Sequence, residues 1–302
     1  MERYDFELLT YIEHKGPGEY SVRRLSDDIC ISGTQVSRRL DKLTQQGLLN
    51  ADAGRISITE AGLLALEPYR VKRAIIAGAG FGSRMMPATK DRPKPMVTVN
   101  GVRIIDTLLD ALVAVGIRDI TVVGGYKVEV MYELLEKYPF LTILNNTRYA
   151  EENNISSALL AMDRFCGGCY FCEADLYISD PDVIRKYQYC TNILGSWSIE
   201  TDDWCFKMAD GCVSDYKKGG TYCYNYYGIS YWTDEDSRML KEDWAELHNE
   251  PGGKDLFWEF PAFIHRKDKY RVEIRPCRKQ AIMEIDNYYE LAQLDPSYPV
   301  DP

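Results

Sequence analysis

An apolar run that breaks into three alternate glycines constrains this chain more than any other feature. Residues Ala74 to Ala77 are apolar and predict a buried strand, and Gly78, Gly80 and Gly82 follow directly. Glycines let the backbone approach a ligand closely and leave N–H groups free to bind an anion. The run therefore predicts a strand that leads into a phosphate-binding loop, in a fold of the α/β class.

The residues after the glycines separate this loop from two common phosphate-binding loops. A dinucleotide-binding turn requires a glycine where this chain has Ser83. A Walker A loop requires Gly-Lys-Ser/Thr, and the chain has Ser-Arg-Met there instead. Two prolines flank Lys94 and fix an extended backbone around it. We expect Arg84 and Lys94 to be the cations that contact phosphate.

The segment from Gly78 to Gly101 closely resembles the signature of the sugar-phosphate nucleotidyltransferase superfamily. It begins with Gly-Ala-Gly-Phe-Gly-Ser-Arg, contains Pro-Lys-Pro and ends with Val-Asn-Gly. The resemblance implies a loop that wraps a triphosphate, with Arg84 and Lys94 as the catalytic cations. It also implies a Rossmann-like domain with a mixed, mostly parallel sheet. The nucleotide-binding residues predicted around this loop are Ala77, Gly78, Ala79, Gly80, Gly82 and Tyr126.

The composition is that of a soluble globular chain with one large domain and a small one. Its 302 residues are 45% hydrophobic and 27% charged, which is ordinary for such proteins. No apolar stretch approaches membrane-spanning length, and the amino terminus lacks the basic-then-apolar order of a signal peptide. We therefore expect a cytoplasmic protein whose nine cysteines are thiols.

One cysteine cluster has a spacing found in metal sites. Cys166, Cys169 and Cys172 are each three residues apart, but no fourth ligand follows at a suitable distance. The chain has three histidines, so few histidine ligands are available for a zinc site. Buried thiols are the favoured interpretation.

Residues 1–68 predict a separate small domain, and residues 71–302 a catalytic domain, with Pro68 in the linker. The first part shows an amphipathic helix, a turn, a helix capped by Ser21 and a third helix from about Thr34 to Gly47. A short strand near Arg55 and a capped final helix follow. The net charge of −10 argues against a nucleic-acid-binding surface over the whole chain.

This order of elements resembles the winged helix-turn-helix of MarR-like regulators. The resemblance implies that the third helix enters a major groove, with Arg38 and Arg39 on DNA and Arg55 on the wing. A winged helix kept for dimerisation or packing is the alternative, so DNA and a homodimer are both left open as partners.

Two carboxylates are placed to hold a metal. Asp175 follows an apolar strand, and Asp286 lies in a second strand-like segment near the carboxyl end of the chain. Magnesium prefers carboxylate oxygens and bridges them to phosphates. The pair is also similar to that of the LicC-like choline-phosphate cytidylyltransferase branch of the superfamily, in which two acids hold the metal. We expect Asp175 and Asp286 to bind Mg2+, and structural caps at strand ends are the alternative.

The same branch has a segment similar to Asn-Asn-Ile-Ser-Ser of this chain, beside its nucleotide. Asn154 and Ser156 are therefore predicted to contact the base or ribose of the nucleotide, although both residues are also common helix caps. The resemblance alone implies that this nucleotide is CTP.

The region from Trp197 to Trp258 is rich in aromatic residues and is predicted to bind the acceptor. Aromatic faces bind a quaternary ammonium, and a nearby carboxylate adds attraction. The predicted acceptor-binding residues are Glu173, Trp197, Tyr224, Tyr226, Trp258 and Glu284. Half-buried strand residues are the alternative for each tyrosine taken singly.

The predicted reaction transfers CMP from CTP to phosphocholine, with Mg2+, giving CDP-choline and pyrophosphate. A primary ammonium requires direct carboxylate contacts, so 2-aminoethylphosphonate is an alternative acceptor. A sugar phosphate is a further alternative. A hypothesis from another class is a transcription regulator whose nucleotidyltransferase-like domain only senses a ligand.

Overall fold

The computed structural model describes residues 1–52 and 54–299, which form two compact units. The first unit contains Met1–Arg70 together with the short segment Tyr187–Tyr189. The second contains Val71–Lys186 and Cys190–Pro302. The sequence analysis assigns the segment at 187–189 to the catalytic domain, whereas the structure groups it with the first unit.

The first unit is a set of four helices with a small antiparallel sheet. The sheet has the strand order β1-β3-β2. Side chains of Ser21, Ser32 and Thr59 cap α2, α3 and α4, since each accepts a hydrogen bond from a first-turn N–H. The elements are α1 (Arg3–Lys15), β1 (Gly18–Glu19), α2 (Val22–Ile29), α3 (Gly33–Gln45), β2 (Leu49–Asp52), β3 (Arg55–Ile58) and α4 (Glu60–Leu66).

The core of the first unit includes two tyrosines from far along the chain. The apolar face of α1 is buried, as its periodicity predicts. Tyr187 and Tyr189 join this core. The ring of Tyr189 stacks on that of Tyr69 at 5.6 Å and 9°, and it also contacts Phe6. A segment more than a hundred residues away in sequence thus completes this core.

The second unit is built on a seven-stranded mixed sheet. Its strand order is β11-β13-β12-β9-β4-β7-β8, and β10–β14 and β5–β6 are separate two-stranded ladders. The strands are β4 (Arg73–Ala77), β5 (Thr98–Val99), β6 (Val102–Arg103), β7 (Asp119–Gly124), β8 (Thr142–Asn145), β9 (Cys169–Glu173), β10 (Leu176–Ile178), β11 (Asn192–Ala209), β12 (Cys212–Trp232), β13 (Glu273–Pro276) and β14 (Ile282–Glu284). The helices are α5 (Ile104–Ala114), α6 (Val128–Met131), α7 (Leu134–Lys137), α8 (Ile155–Ala161), α9 (Asp234–His248) and α10 (Tyr288–Leu294).

The parallel strands of this sheet bring their carboxyl ends to one edge. β4 pairs in parallel with β7 and with β9, so that Ala77 lies opposite both Val123 and Glu173. All of β4 except its two ends is buried, which explains its continuous apolar run. The predicted α/β fold with a mixed, mostly parallel sheet is confirmed.

Two further features bear on the predictions. Cys169 and Cys172 are buried free thiols, and Cys166 is partly exposed beside the Arg73 guanidinium. Within the described ranges, every helix is too short or too polar to cross a membrane.

Candidate active site

A cleft of about 450 Å³ opens at the carboxyl ends of β4 and β9 in the second unit. This is the edge at which ligands bind in open α/β sheets. The glycine loop forms one side of the cleft, and residues from the turn after β8 form another. Its chemically important lining residues are Gly78, Gly80, Gly82, Arg84, Lys94, Glu152, Asn153, Asn154, Ser156, Glu173, Asp175, Phe257 and Asp286.

Two of the loop glycines are required by close packing. A Cβ on Gly78 would lie 2.6 Å from the Cβ of Ala174. Gly82 has a φ of +60°, and a Cβ there would lie 2.9 Å from the Cβ of Lys94. Any side chain at either position would push the loop off the strand end or off the lysine. The glycines therefore hold the loop backbone tightly beside Lys94.

The two predicted cations converge on the two predicted metal carboxylates. Lys94 Nζ lies 2.9 Å from Asp175 Oδ2 and 3.5 Å from Asp286 Oδ1. Arg84 makes a two-pronged contact with Asp286, at 2.9 and 3.1 Å. The four residues come from separate parts of the chain, and the fold gathers them at one end of the cleft.

Glu284 joins this carboxylate group instead of the aromatic region in which the acceptor was predicted to bind. One oxygen each from Asp175, Glu284 and Asp286 lie within 4.8 Å of one another. The reason is the antiparallel ladder of β10 with β14, which sets Leu176 opposite Glu284 and so brings Glu284 beside Asp175. The predicted acceptor-binding residue Glu284 thus lies beside the two predicted metal carboxylates.

The donor set fits a hard divalent cation. Asp175 Oδ1 is buried and has no hydrogen-bond partner among residues 1–52 and 54–299, so one oxygen is free to bind an ion. Burial and the charges of Asp175 and Asp286 raise the pKa of Glu284 to about 9. Three carboxylates this close repel one another, and a divalent cation relieves that repulsion.

Lys94 is a charged group in a buried position. Its side chain is 11% exposed. Burial by itself would lower the pKa of Lys94, but the contacts with Asp175 and then with Asp286 outweigh it and raise the pKa above the usual value. Lys94 is therefore a cation at neutral pH, where it can neutralise phosphate charge.

A carboxylate that the sequence analysis missed holds Asp286 in place. Glu290, in the first turn of α10, accepts hydrogen bonds from the backbone N–H of Asp286 at 2.7 Å and from the side-chain amide of Asn287 at 2.8 Å. Asn287 caps the same helix. The sequence does contain a pattern that predicts this contact, because an Asn followed three residues later by Glu is typical of a helix N-terminus.

The predicted nucleotide-binding residues are placed around the cleft in different ways. Asn154 and Ser156 line it, at the start of α8. Asn154 Oδ1 accepts a hydrogen bond from the Trp258 backbone, so its carbonyl is already used within the protein. Tyr126 ties two loops together through its hydroxyl, which donates to the backbone of Thr89. Its ring contacts Phe81, a cleft residue.

A buried asparagine that the sequence analysis also missed fixes this side of the cleft. The amide of Asn146 donates to the hydroxyls of Ser156 and Ser157, at 2.9 and 3.0 Å. Its carbonyl accepts from the backbone of Arg148. Asn146 directly follows β8, and polar residues after parallel strands are candidates for this edge.

Three residues predicted to bind the acceptor meet at a buried carboxylate. Glu173 Oε1 accepts from the Tyr226 hydroxyl at 3.1 Å and from the Trp258 indole at 3.3 Å. Burial, followed by the charge of Asp175, raises the pKa of Glu173 to about 8. Trp258 is fully buried, with its ring 4.2 Å from that of Phe171. It is therefore a core residue that orients Glu173, and its ring face is not open to a ligand.

A second buried carboxylate lies in the same aromatic region. Glu259 Oε1 accepts from the Tyr216 hydroxyl at 3.0 Å. Its other oxygen, Oε2, is buried and unpartnered in the described part of the chain. Burial raises the pKa of Glu259 to about 7. Glu173, Glu259, Tyr216, Tyr226 and Phe257 are called the carboxylate subsite below.

Trp197 and Tyr224 are not brought to the cleft. Trp197 is 53% exposed on β11, and its ring contacts that of Tyr224 at 5.3 Å on the paired strand β12. Neither residue lines the cleft. The register sets Trp197 opposite Tyr224 and Gly195 opposite Tyr226, so the three aromatic side chains share one face of the ladder. Their position along the strands separates Tyr226 from the other two, and periodicity does not show that position.

The residues predicted to bind DNA differ in their availability within the first unit. Arg38 and Arg55 are exposed. Arg39 is paired with Asp5 at 2.6 Å and with Glu2 at 3.1 Å, and its side chain is only 16% exposed. Lys42 binds the same two acids. Arg39 thus holds α3 against α1.

The cleft sets two cations and a group of three carboxylates against a glycine loop. The nucleotidyl transferase family model matches residues 73–191. The 2-aminoethylphosphonate cytidylyltransferase of Lancefieldella rimae is 38% identical over 228 residues, which cover 74% of this chain and 92% of that protein. The chain belongs to the nucleotidyltransferase family and is a nucleotidyltransferase enzyme.

Two further comparisons extend this finding. The choline-phosphate cytidylyltransferase of Streptococcus pneumoniae is 27% identical over 233 residues, covering 74% of this chain and 96% of that protein. The solved structure of the CTP:phosphocholine cytidylyltransferase from the same organism superposes with a TM-score of 0.70 and 25% identity. It covers 76% of this chain and all of that one. The hypothesis of a purely ligand-sensing domain is not supported.

Proposed function

We propose that the protein transfers the cytidylyl group of CTP to the phosphonate of 2-aminoethylphosphonate, and that Asp175, Glu284 and Asp286 hold Mg2+ for this reaction. The observation that carries the proposal is the contact of Lys94 with both aspartates at the end of the glycine loop. The cytidylyltransferase relatives support the choice of CTP.

The chemistry is in-line attack of an acceptor oxygen on the α-phosphorus, with pyrophosphate leaving. An acceptor phosphate is already largely dianionic, with a second pKa of about 6, so no general base is required. Bound Mg2+ would supply charge neutralisation at the phosphates. Lys94 and Arg84 neutralise further phosphate charge, and the glycine-loop N–H groups orient the triphosphate.

The carboxylate subsite favours an acceptor with a primary ammonium. Glu173 lines the cleft two residues before Asp175, so a cationic group beside it lies near the metal carboxylates. A primary ammonium donates hydrogen bonds and can use carboxylate oxygens, whereas a quaternary ammonium cannot. The 38% identity to a 2-aminoethylphosphonate cytidylyltransferase supports the same choice.

Phosphocholine is the second candidate acceptor, and one observation favours it. Phe257 lines the cleft, and Tyr216 and Tyr226 lie with Glu173 and Glu259, so aromatic rings accompany the carboxylates. Rings and carboxylates together can bind a quaternary ammonium. The relative from Streptococcus pneumoniae is named for this acceptor.

The test is pyrophosphate release by the purified protein with CTP and Mg2+. It is run with 2-aminoethylphosphonate, with phosphocholine and without an acceptor. Release that depends on the phosphonate supports the proposal, and release with phosphocholine alone moves the assignment to the second candidate. No release with either acceptor, under conditions in which CTP binds, refutes the proposal. Asp175→Asn is the inactive control.

We propose, second, that the first unit is a winged helix that binds DNA, with the boundary between the domains at residues 68–71. The element order α1-β1-α2-α3-β2-β3-α4 and the three-stranded antiparallel sheet support the winged helix. Exposed Arg38 on α3 and Arg55 on β3 are the residues that would contact DNA. Arg39 forms ion pairs with Glu2 and Asp5, which reduces the positive charge available for DNA binding. A homodimer and a cytoplasmic location stay predictions.

DNA binding is tested with the duplex upstream of the protein's own gene. A mobility shift that Arg38→Gln or Arg55→Gln weakens, while Lys15→Gln does not, supports a DNA-binding face. No shift at low salt, at which phosphate contacts are strongest, refutes it.

A further inference from the structure

Glu152 is a buried carboxylate in the cleft that neither the phosphate site nor the metal site uses. Its side chain is 3% exposed. One oxygen contacts His248 Nε2 at 2.9 Å and Arg148 at 3.2 Å, and the other contacts Lys254 Nζ at 3.4 Å. Burial alone would raise the pKa of Glu152, but these partners outweigh it and lower the pKa. Glu152 is thus an anion with partners on three segments, which are its own, the end of α9 and the loop after α9.

Two of these segments contribute to the cleft, the first through five lining residues and the second through Phe257. The first, called the nucleotide wall, is residues 148–156, and it carries Asn154 and Ser156. The second, called the acceptor wall, is residues 254–259, and it carries Phe257 and Glu259 of the carboxylate subsite. Arg148 lies on the nucleotide wall with Glu152, and Lys254 begins the acceptor wall.

Backbone contacts join the same two walls beside Glu152. The backbone N–H of Asn153 donates to the carbonyl of Lys254 at 2.8 Å, and its side-chain amide donates to that of Asp255 at 3.1 Å. The backbone N–H of Trp258 donates to Asn154 Oδ1 at 2.8 Å. The backbone N–H of Ile155 also donates to the carbonyl of Leu256 at 3.4 Å. The two walls are therefore linked at four consecutive residues, 152 to 155, and a displacement of one wall strains these links.

We propose that Glu152 is a positioning residue that couples the nucleotide wall to the acceptor wall, so that a bound nucleotide increases the affinity for the acceptor. This inference rests on the proposed function, because it assumes that the acceptor binds at the carboxylate subsite. A nucleotide that fixes Asn154 and Ser156 also fixes Phe257 and Glu259 through these links. Such coupling between two sites is typically worth about 5- to 150-fold in affinity.

Glu152→Gln tests the coupling because it removes the charge and keeps the size of the side chain. Neighbouring Glu151 is exposed and makes no contact of this kind, so Glu151→Gln is the matched control. Lys254→Gln is the second variant, since the Lys254 side chain is 65% exposed and its loss leaves the buried carboxylate with two partners. It tests the inference even if Glu152→Gln does not fold.

The measurement is the affinity for 2-aminoethylphosphonate by calorimetry, with and without a saturating α,β-methylene analogue of CTP. We expect the analogue to tighten acceptor binding at least about fivefold in the wild type and in Glu151→Gln. The ratio of the acceptor affinity with the analogue to that without it should fall close to one in Glu152→Gln. In Lys254→Gln the ratio should lie between this value and that of the wild type. Binding of the analogue alone changes less than about threefold in each variant.

Two results would overturn the inference and leave the proposed function intact. One is a wild-type ratio of one in a protein that releases pyrophosphate with the acceptor. The other is a wild-type ratio that both Glu152→Gln and Lys254→Gln retain. An absence of acceptor binding together with an absence of pyrophosphate release refutes the proposed function, and the inference with it.

Discussion

Lys94 Nζ lies 2.9 Å from Asp175 Oδ2, so the cation proposed to bind phosphate and a carboxylate proposed to bind metal neutralise each other. Arg84 does the same for Asp286. If the carboxylates bind a metal, both cations are expected to turn to the nucleotide. The binding of metal and that of nucleotide are therefore expected to favour each other.

Lys94→Gln should abolish turnover and at the same time strengthen metal binding to the nucleotide-free protein. At an effective dielectric constant of about 20, a unit charge about 4 Å away contributes about 4 kcal/mol, so Mn2+ should bind at least tenfold more tightly. Turnover should fall roughly 10²- to 10³-fold. Paramagnetic resonance of Mn2+ and pyrophosphate release measure the two effects. Lys90→Gln, a nearby exposed change, serves as control, and unchanged Mn2+ affinity in Lys94→Gln would contradict the prediction.

Glu290→Gln should lower activity through Asp286. Its carboxylate accepts from the Asp286 backbone and from Asn287, and a glutamine can replace only part of these bonds. We expect about a tenfold loss of metal affinity, as is usual when a group that orients a ligand is changed. Metal titration of activity measures it. Exposed Glu246→Gln should have no effect, and equal metal affinities of Glu290→Gln and wild type would speak against this role.

Trp197→Ala should leave the KM for the acceptor unchanged, whereas Glu173→Gln should raise it about tenfold or more. Trp197 is exposed and outside the cleft, and Glu173 lines it. The pKa of Glu173 is raised to about 8 in the protein alone, and an ammonium bound beside it favours the charged form. The charged hydrogen bond then formed contributes roughly 1.5–3 kcal/mol. Steady-state kinetics with varied acceptor separates the two variants. A raised KM for the acceptor in Trp197→Ala would contradict this prediction and indicate that the acceptor binds beside Trp197.

The stability of the protein should fall as the pH rises from about 4.5 to about 7, and Glu259 contributes to this fall. Burial raises the pKa of Glu259 from its ordinary value of 4.5 to about 7 in the folded state. The folded state keeps its proton over this window while the unfolded state loses it, so the stabilisation present below pH 4.5 is lost by pH 7. Denaturant unfolding of Glu259→Gln should show a flatter profile than wild type. Exposed Glu246→Gln should keep the wild-type slope.

Tyr189→Ala should destabilise the first unit, although residue 189 falls within the sequence range predicted for the catalytic domain. Its ring stacks on Tyr69, contacts Phe6 and lies under the guanidinium of Arg3. Removing a large, partly buried aromatic side chain should cost about 2–3 kcal/mol. Hydrogen exchange should become faster in α1 and α4, and exposed Tyr132→Ala should not produce this change. Unaltered exchange in α1 would contradict the prediction.

Much of the phosphate site could be predicted from sequence because its determinants are local. The glycine loop follows its strand directly, and Asp175 stands just beyond β9, so the parallel sheet brings both to one edge. The position of Glu284 depends on the ladder of β10 with β14, which joins segments about a hundred residues apart. No local pattern contains that register.

The acceptor region shows the opposite case. Its aromatic residues were recognisable by type, but their position along the paired strands, with Tyr226 opposite Gly195 and Trp197 opposite Tyr224, decides which of them meets the site. Tyr226 consequently reaches Glu173 while Trp197 points outward. Glu152 was missed for a related reason, because its partners His248 and Lys254 are nearly a hundred residues away.

The place of Tyr187–Tyr189 in the first unit also sets an order on biosynthesis. A ribosome that has produced only the first seventy residues has made every helix of that unit, but not the tyrosine rings that complete its core. The core of the unit is complete only after β4, β7 and β9, with the glycine loop between β4 and β7, have been translated. The amino-terminal part of this protein is thus among the first to be synthesised, and the last residues of its core are made much later.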